Sequence, residues 1–303
     1  MYLIGLIVGY ITSKILHQNE NRTKFLCGVF SSPHTTSIPV IFVEVTYQIL
    51  DKISPTMPLE MADARSRGML YIVLNSILSN IWRWTVVYNI INPDVESIIT
   101  DNQLQTPLVT SNAKEETKKM TIWDYAKEIV NMPIIASFVS IALCAIPSVQ
   151  GYFTDDSTIL NDTVLSVHKL IARSYSFLVM FVLGLNFSDL FDLGKSRKSM
   201  QKNSIFDSWD ITIITIMKLL VMPLIGCPII FIYYFTGIIK DDVMVLLFLF
   251  MMSAPNAINV IIVCSVKKAF KETISLMMVV QYLASLITLT FQLTVFIYIL
   301  HIY

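Results

Sequence analysis

Two asparagines three residues apart, Asn256 and Asn259, follow Pro255 in the middle of an apolar stretch running from Val243 to Cys264. A primary amide both donates and accepts. At this spacing the pair can bond either the carbonyls freed by a broken helix or the carboxylate of a ligand. A half-helix starting after Pro255 would direct free N–H groups and a positive dipole end at the break, which suits an anion. Lys218 lies deep in another apolar stretch, separated from Asp210 by seven apolar or Thr residues. A charge at a bilayer centre costs about 2.5–3.5 kcal/mol on insertion scales. This favours an interior position, as counter-ion to an anionic substrate or paired with a carboxylate; the alternative is snorkelling to the interface.

Other polar residues interrupt apolar runs. Glu44 lies within Pro39–Leu50. It can pair with Lys218, exchange a proton during transport, or sit at the outer interface with Tyr47 and Gln48. His34 belongs to a second break, Ser31–Pro39, which contains Pro33 and Pro39. There it either meets a substrate, with a charge that changes near neutral pH, or finishes a helix with a hydrogen bond. Arg83, between Trp82 and Trp84, reads as an interfacial residue reaching headgroups.

The elements that must position these residues are apolar and long. Eight segments stand out, at about 2–17, 25–50, 66–91, 128–149, 168–190, 211–236, 243–264 and 273–302. Most reach the roughly 20 residues that a spanning helix needs. In hydrocarbon every unpaired backbone group costs several kcal/mol, so a proline-broken helix survives only where protein or a watery cavity covers the break. Secondary transporters place their substrate sites at such breaks. With the N-terminus outside, fourteen Lys and Arg fall in inside loops and four in outside loops, so the C-terminus is expected outside too. The broken segments 25–50 and 243–264 are each second in a triplet, 2–91 and 211–302. The triplets start on opposite sides, as an inverted repeat requires. In the first segment Gly5, Gly9, Thr12 and Ser13 favour close helix packing over lipid contact.

Composition agrees at the level of class. The 303 residues are 54% hydrophobic and 15% charged, against about 25% charged in a soluble domain. Zero net charge gives no reason to expect a nucleic-acid partner. The four cysteines, Cys27, Cys144, Cys227 and Cys264, lie in or beside apolar stretches without CxxC spacing, so neither a zinc site nor a disulfide framework is expected. No HExxH, GxSxG, P-loop or GxGxxG motif occurs, and no enzyme is expected. Met1 leads straight into the first apolar segment with no basic region or cleavage site, so no cleavable signal peptide is expected.

Several stretches carry a resemblance. Thr212–Gly226, with Lys218, Pro223, Leu224 and Gly226, has a basic residue followed by a Pro-Leu turn. Ala254-Pro255-Asn256-Ala257-Ile258-Asn259 follows it, then Gln281-Tyr282-Leu283-Ala284-Ser285-Leu286. Upstream stand Asn131-Met132-Pro133 and Ile38-Pro39. In order and spacing these resemble helices eight, nine, ten, six and four of the auxin efflux carrier superfamily, most closely its PIN-LIKES branch. The resemblance implies ten helices in two inverted five-helix repeats, with the substrate path at the crossover of helices four and nine. Met1 opens inside the family's third helix, so an all-α multi-pass protein of about eight transmembrane helices is expected, lacking the first two. The implied parts are a first transport triplet at 1–91 and a cytosolic hydrophilic loop at 92–127. Scaffold helices at 128–190, a cytosolic loop at 191–210 and a second transport triplet at 211–303 follow. At the first crossover the family's Gly-Asn is replaced by Pro33-His34, which gives His34 the place of an asparagine.

The function implied is a carrier that moves a small organic anion, an auxin-like carboxylate, by alternating access. The carboxylate would sit between the broken helices near Pro39, Pro255, Asn256 and Asn259, with Lys218, His34 and Glu44 around it. No cofactor or metal is implied, and the partners are the substrate, the lipid bilayer and possible further copies of the chain. The branch favours the endoplasmic reticulum membrane over the plasma membrane. The rival class is a receptor, or a regulatory fragment that assembles with other subunits without transporting.

Overall fold

The computed structural model describes residues 1–44, 61–91, 132–154, 163, 166–167, 181, 206–267 and 269–302. The chain divides into two compact units, Met1–Ala113 with Lys195–Tyr303, and Lys114–Gly194. The segment read at 168–190 and the long hydrophilic loop fall almost wholly outside the described residues.

In the larger unit each triplet is a helix, a broken helix and a helix. Helix α1 (Tyr2–Ile15) leads to α2 (Glu20–Phe30), which stops at a break, and α3 resumes at 37 and is described to 44. Helix α4 (Met61–Trp82) continues through a π-helical segment, Arg83–Val87, to a last turn, Tyr88–Ile90. In the smaller unit, α5 (Met132–Cys144) is followed by α6 (Pro147–Thr154). The single segment expected at 128–149 therefore divides. Pro147 cannot continue the preceding helix but suits the first position of the next.

The second triplet opens with α7 (Ser208–Ile216), a π-helical segment at Met217–Val221, and α8 (Met222–Phe235). Helix α9 (Asp242–Ser253) and α10 (Asn259–Val266) are the two halves of its broken element, and α11 (Lys271–Ile302) closes the triplet. Among the described residues, two continuous stretches, Ser208–Phe235 and Thr273–Ile299, are long and apolar enough to cross a membrane. Tyr2–Ile15 and Asp242–Ser253 are shorter apolar helices.

Local chemistry fixes the helix ends. Helix α2 begins earlier than its apolar pattern because the Asn19 side chain accepts from the Arg22 N–H at 2.9 Å. The Asp241 side chain caps α9 by accepting from the Val243 N–H. Ala254, the residue before Pro255, is extended at φ −69° and ψ 149°, as the proline ring demands, and there α9 stops.

Helices α1 and α2 pack with almost no space between backbones. A Cβ on Gly5 would lie 2.4 Å from the Phe30 carbonyl oxygen, and one on Gly9 2.8 Å from the Cys27 Cα. Thr12 and Ser13 are buried in the same contact, where the Ser13 and Thr23 hydroxyls meet at 2.6 Å. Small residues four apart thus do what the sequence predicts. Beyond them a core of Met222, Ile230, Val245, Leu249, Met252 and Phe296 joins α8, α9 and α11.

Gly9→Ala is expected to destabilise by about 1–3 kcal/mol, because rigid backbone cannot yield to the new methyl. Gly151→Ala, with nothing within 4 Å of the added atom, should hold or gain stability. Thermal unfolding in detergent, followed by the loss of monodisperse protein, checks both. Equal midpoints would mean that the α1–α2 contact is looser than described.

Candidate functional site

The two breaks cross and pair. Pro33 and Asn256 form an isolated antiparallel β-bridge, and the Ala257 N–H donates to the Ser32 carbonyl at 3.0 Å. The sequence prepares for this locally. A proline in each break, Pro33 and Pro255, removes a backbone donor that would otherwise need a partner. The remaining groups are met from nearby. The Asn256 N–H donates to the Gln281 Oε1 at 3.3 Å, and the Tyr282 hydroxyl donates to the Asn256 carbonyl at 3.4 Å. The Ser31 and Ser32 hydroxyls both donate to the Gly28 carbonyl and finish α2.

Side chains at the crossing are less well satisfied than its backbone. Asn256 is fully buried, yet neither its Nδ2 nor its Oδ1 has a hydrogen-bond partner among the described residues. The same holds for the Gln281 Nε2 and the His34 Nδ1, both buried. The His34 ring stands edge-on to Tyr282 with centroids 6.1 Å apart. Leaving a buried polar group unmatched costs about 1–3 kcal/mol. Several such groups converging on one point are what a site for a polar ligand requires.

Among the described residues the fully buried charges are both positive, Lys218 and Arg83, and each lies in a π-helical segment. Such bulges redirect a side chain that a regular helix would point elsewhere. The Lys218 Nζ donates to the Phe30 carbonyl at 3.3 Å and lies 3.2 Å from the Met222 sulfur. It thus holds the negative end of α2, the half-helix entering the first break. No carboxylate joins it among the described residues.

The expected site residues are therefore sorted. His34, Pro255 and Asn256 come together at the crossing, and Lys218 lies beside it through Phe30. Asn259 occupies the first turn of α10 and is half-buried. Pro39 lies in the first turn of α3, where a proline is tolerated, and the residue that faces Asn256 is Pro33. Glu44 is not beside Lys218. It accepts from Arg65 at 2.6 Å in a half-exposed ion pair. Arg83 corrects the sequence reading most. It is 2% exposed and donates to the Asn80 Oδ1 and the Ser79 Oγ at 3.0 Å each, so it does not reach headgroups.

Sequence reasoning missed two features. Gln281 supplies the break with an acceptor, although its motif was visible. Asn75, Ser79 and Arg83 recur every four residues and are all buried, a polar stripe along one face of α4 and its π-helical extension. That periodicity was the available signal. Asn75 also lines a cavity of about 370 Å³ with Tyr2, Tyr233, Phe248 and Met252. Among the described residues no three His, Cys, Asp or Glu side chains gather to hold a metal ion.

Comparison with known proteins follows this geometry. A family described as membrane transport protein matches residues 1–293. An uncharacterized transporter of Schizosaccharomyces pombe is 18% identical over 332 aligned positions, covering 88% of this chain and 72% of its own length. No solved structure matches the chain.

Asn256→Leu separates a structural from a binding role. Its amide bonds no described residue, so the apolar replacement should leave the unfolding midpoint unchanged or raise it. Ligand affinity should fall roughly 5- to 150-fold, the equivalent of about 1–3 kcal/mol. Asn259→Leu should weaken binding too, and Ile261→Leu should not. Binding to detergent-purified protein together with its melting curve gives both readings. A destabilised Asn256→Leu variant with normal affinity would reassign the amide to structure.

Proposed function

Because the chain belongs to the membrane transport protein family, that of the auxin efflux carriers, we propose that it carries a small organic anion across a membrane by alternating access. The anion is an auxin-like carboxylate, and the PIN-LIKES branch and the endoplasmic reticulum membrane are part of the same reading. The observation that carries it is the crossing of two helix breaks, Pro33 against Asn256, surrounded by buried polar groups without described partners.

Electrostatics supports the sign of the substrate. Helices α3 and α10 both begin at the crossing, so their positive dipole ends face it. Buried positive charge on Lys218 and Arg83 raises the potential further, and inside a low-dielectric region that favours an anion over a neutral solute. Binding at the crossing is broken when the triplets shift, and the same contacts re-form from the other side. Movement without ATP belongs to the same reading, and the sequence carries no nucleotide-binding motif.

Proteoliposomes holding the purified chain test this. Uptake of radiolabelled indole-3-acetate should saturate, be inhibited by unlabelled substrate, and fall at least about fivefold in Asn256→Leu liposomes at matched protein, given the loss of hydrogen bonds to a charged group. Linear uptake equal to that of empty liposomes would overturn the assignment to this anion class.

A further inference from the structure

Helix α11 carries two glutamines about three turns apart, Gln281 and Gln292, and they are oriented in opposite ways. The Gln292 Nε2 donates to the Leu219 carbonyl at 2.7 Å, and its Oε1 has no partner among the described residues. Gln281 does the reverse. Its Oε1 accepts from the Asn256 N–H at 3.3 Å, and its Nε2 has no partner among the described residues. A backbone N–H can bond only to the oxygen of a side-chain amide, so the break itself fixes which arm of Gln281 is the oxygen. The other arm is then a donor held in place. Gln281 is fully buried, so water does not meet that donor from the surface. The next residue, Tyr282, donates from its hydroxyl to the Asn256 carbonyl at 3.4 Å, which fastens α11 to the break a second time.

The groups left over at the crossing are unequal in kind. The Asn256 Nδ2 and the Gln281 Nε2 carry two N–H groups each, whereas the acceptors beside them are the Asn256 Oδ1 and, at most, the His34 Nδ1. Donors therefore prevail, and a ligand group that only accepts is their complement. A carboxylate is such a group; a carboxamide, which donates as well, is not. We propose that Gln281 is a specificity-determining residue of this site, its Nε2 donating to an oxygen of the substrate's carboxylate while its Oε1 stays on the Asn256 N–H. This rests on the transport reading above and names a contact within it. A neutral donor meets a carboxylate through a charge-assisted bond without the desolvation cost of a buried ion pair, so the anion is held and can still leave. The amide cannot turn over to offer its oxygen to a ligand without releasing the backbone of the break. A ligand group that needs an acceptor there leaves buried donors unmatched and is rejected.

The test uses the full chain in detergent and two nearly isosteric probes, indole-3-acetate and the uncharged indole-3-acetamide. Parent protein should prefer the acetate. Gln281→Glu keeps an oxygen for the Asn256 N–H and exchanges the donor for an acceptor. It should lose roughly 10- to 100-fold affinity for the acetate and hold or gain affinity for the acetamide, whose amino group can donate to the new carboxyl group, so the preference reverses. Gln281→Met removes both arms. It should weaken both probes, the acetate more, because the bond to a charged group is the stronger. Gln292→Met, on the same helix, should leave the preference as it is in the parent. If Gln281→Glu does not fold, the acetate-to-acetamide ratio of Gln281→Met decides, and a ratio equal to that of the parent overturns the proposal. An equal loss of both probes in Gln281→Glu, or failure of both Gln281 variants to fold, would make the glutamine structural and overturn it too. Parent protein that binds both probes equally would overturn the proposal and leave the transport reading standing. Parent protein that binds neither would overturn that reading itself, and this proposal with it.

Discussion

A broken helix inside a membrane must satisfy the backbone groups that the break releases, and the architecture of the larger unit follows from how that demand is met. Each break is the other's partner. Pro33 pairs with Asn256, and Ser32 accepts from Ala257, so two segments that would each be too unstable alone are acceptable together. The pairing requires the breaks to meet at one depth. It also requires the helices that carry them to approach closely, hence Gly5 and Gly9 on α1 against α2. The side chains of α11 complete the set of partners, with Gln281 on the Asn256 N–H and Tyr282 on its carbonyl. With the backbone of the break met in this way, the side-chain amide of Asn256 is left without a partner among the described residues, and the substrate site proposed above is placed there.

Among the described residues, the fully buried charges of the larger unit have one sign. Lys218 and Arg83 are both buried and both placed by π-helical segments, on the first helix of one triplet and the last of the other. Glu20, Glu44 and Asp241 make their ion pairs elsewhere, with Lys24, Arg65 and Arg67. Interior cations are costly to insert, so each is held by protein groups, Lys218 by the Phe30 carbonyl and Arg83 by Ser79 and Asn80. They act differently. Lys218 secures the negative end of a half-helix, whereas Arg83 stands on a polar stripe leading out of a cavity.

Much of this was legible in the sequence, and the parts that were not have physical reasons. Proline and asparagine in the centre of Val243–Cys264 announced the second break, and small residues in Tyr2–Leu16 announced the close α1–α2 contact. The first break was located, but its centre was not: with two prolines six residues apart, only the pairing with Asn256 distinguishes Pro33 from Pro39. Glu44 was open between roles because its partner, Arg65, lies 21 residues away on another helix, a pairing that apolar patterning does not reveal. Arg83 was misread because its flanking tryptophans suggest an interface, and a π-helical bulge, which rotates side chains relative to a regular helix, has no composition signature.

Cross-linking tests the pairing of the breaks most directly. In a chain whose four cysteines are replaced, Ser32→Cys and Ala257→Cys place thiols on residues opposed across the antiparallel bridge, within the separation a disulfide spans. The account predicts rapid and nearly complete disulfide formation under mild oxidant in native membranes, and slow formation for the control pair Ser32→Cys with Ile261→Cys, one helical turn further on. Equal rates for the two pairs, or no bond between 32 and 257, would contradict a crossing built on Pro33 and Asn256.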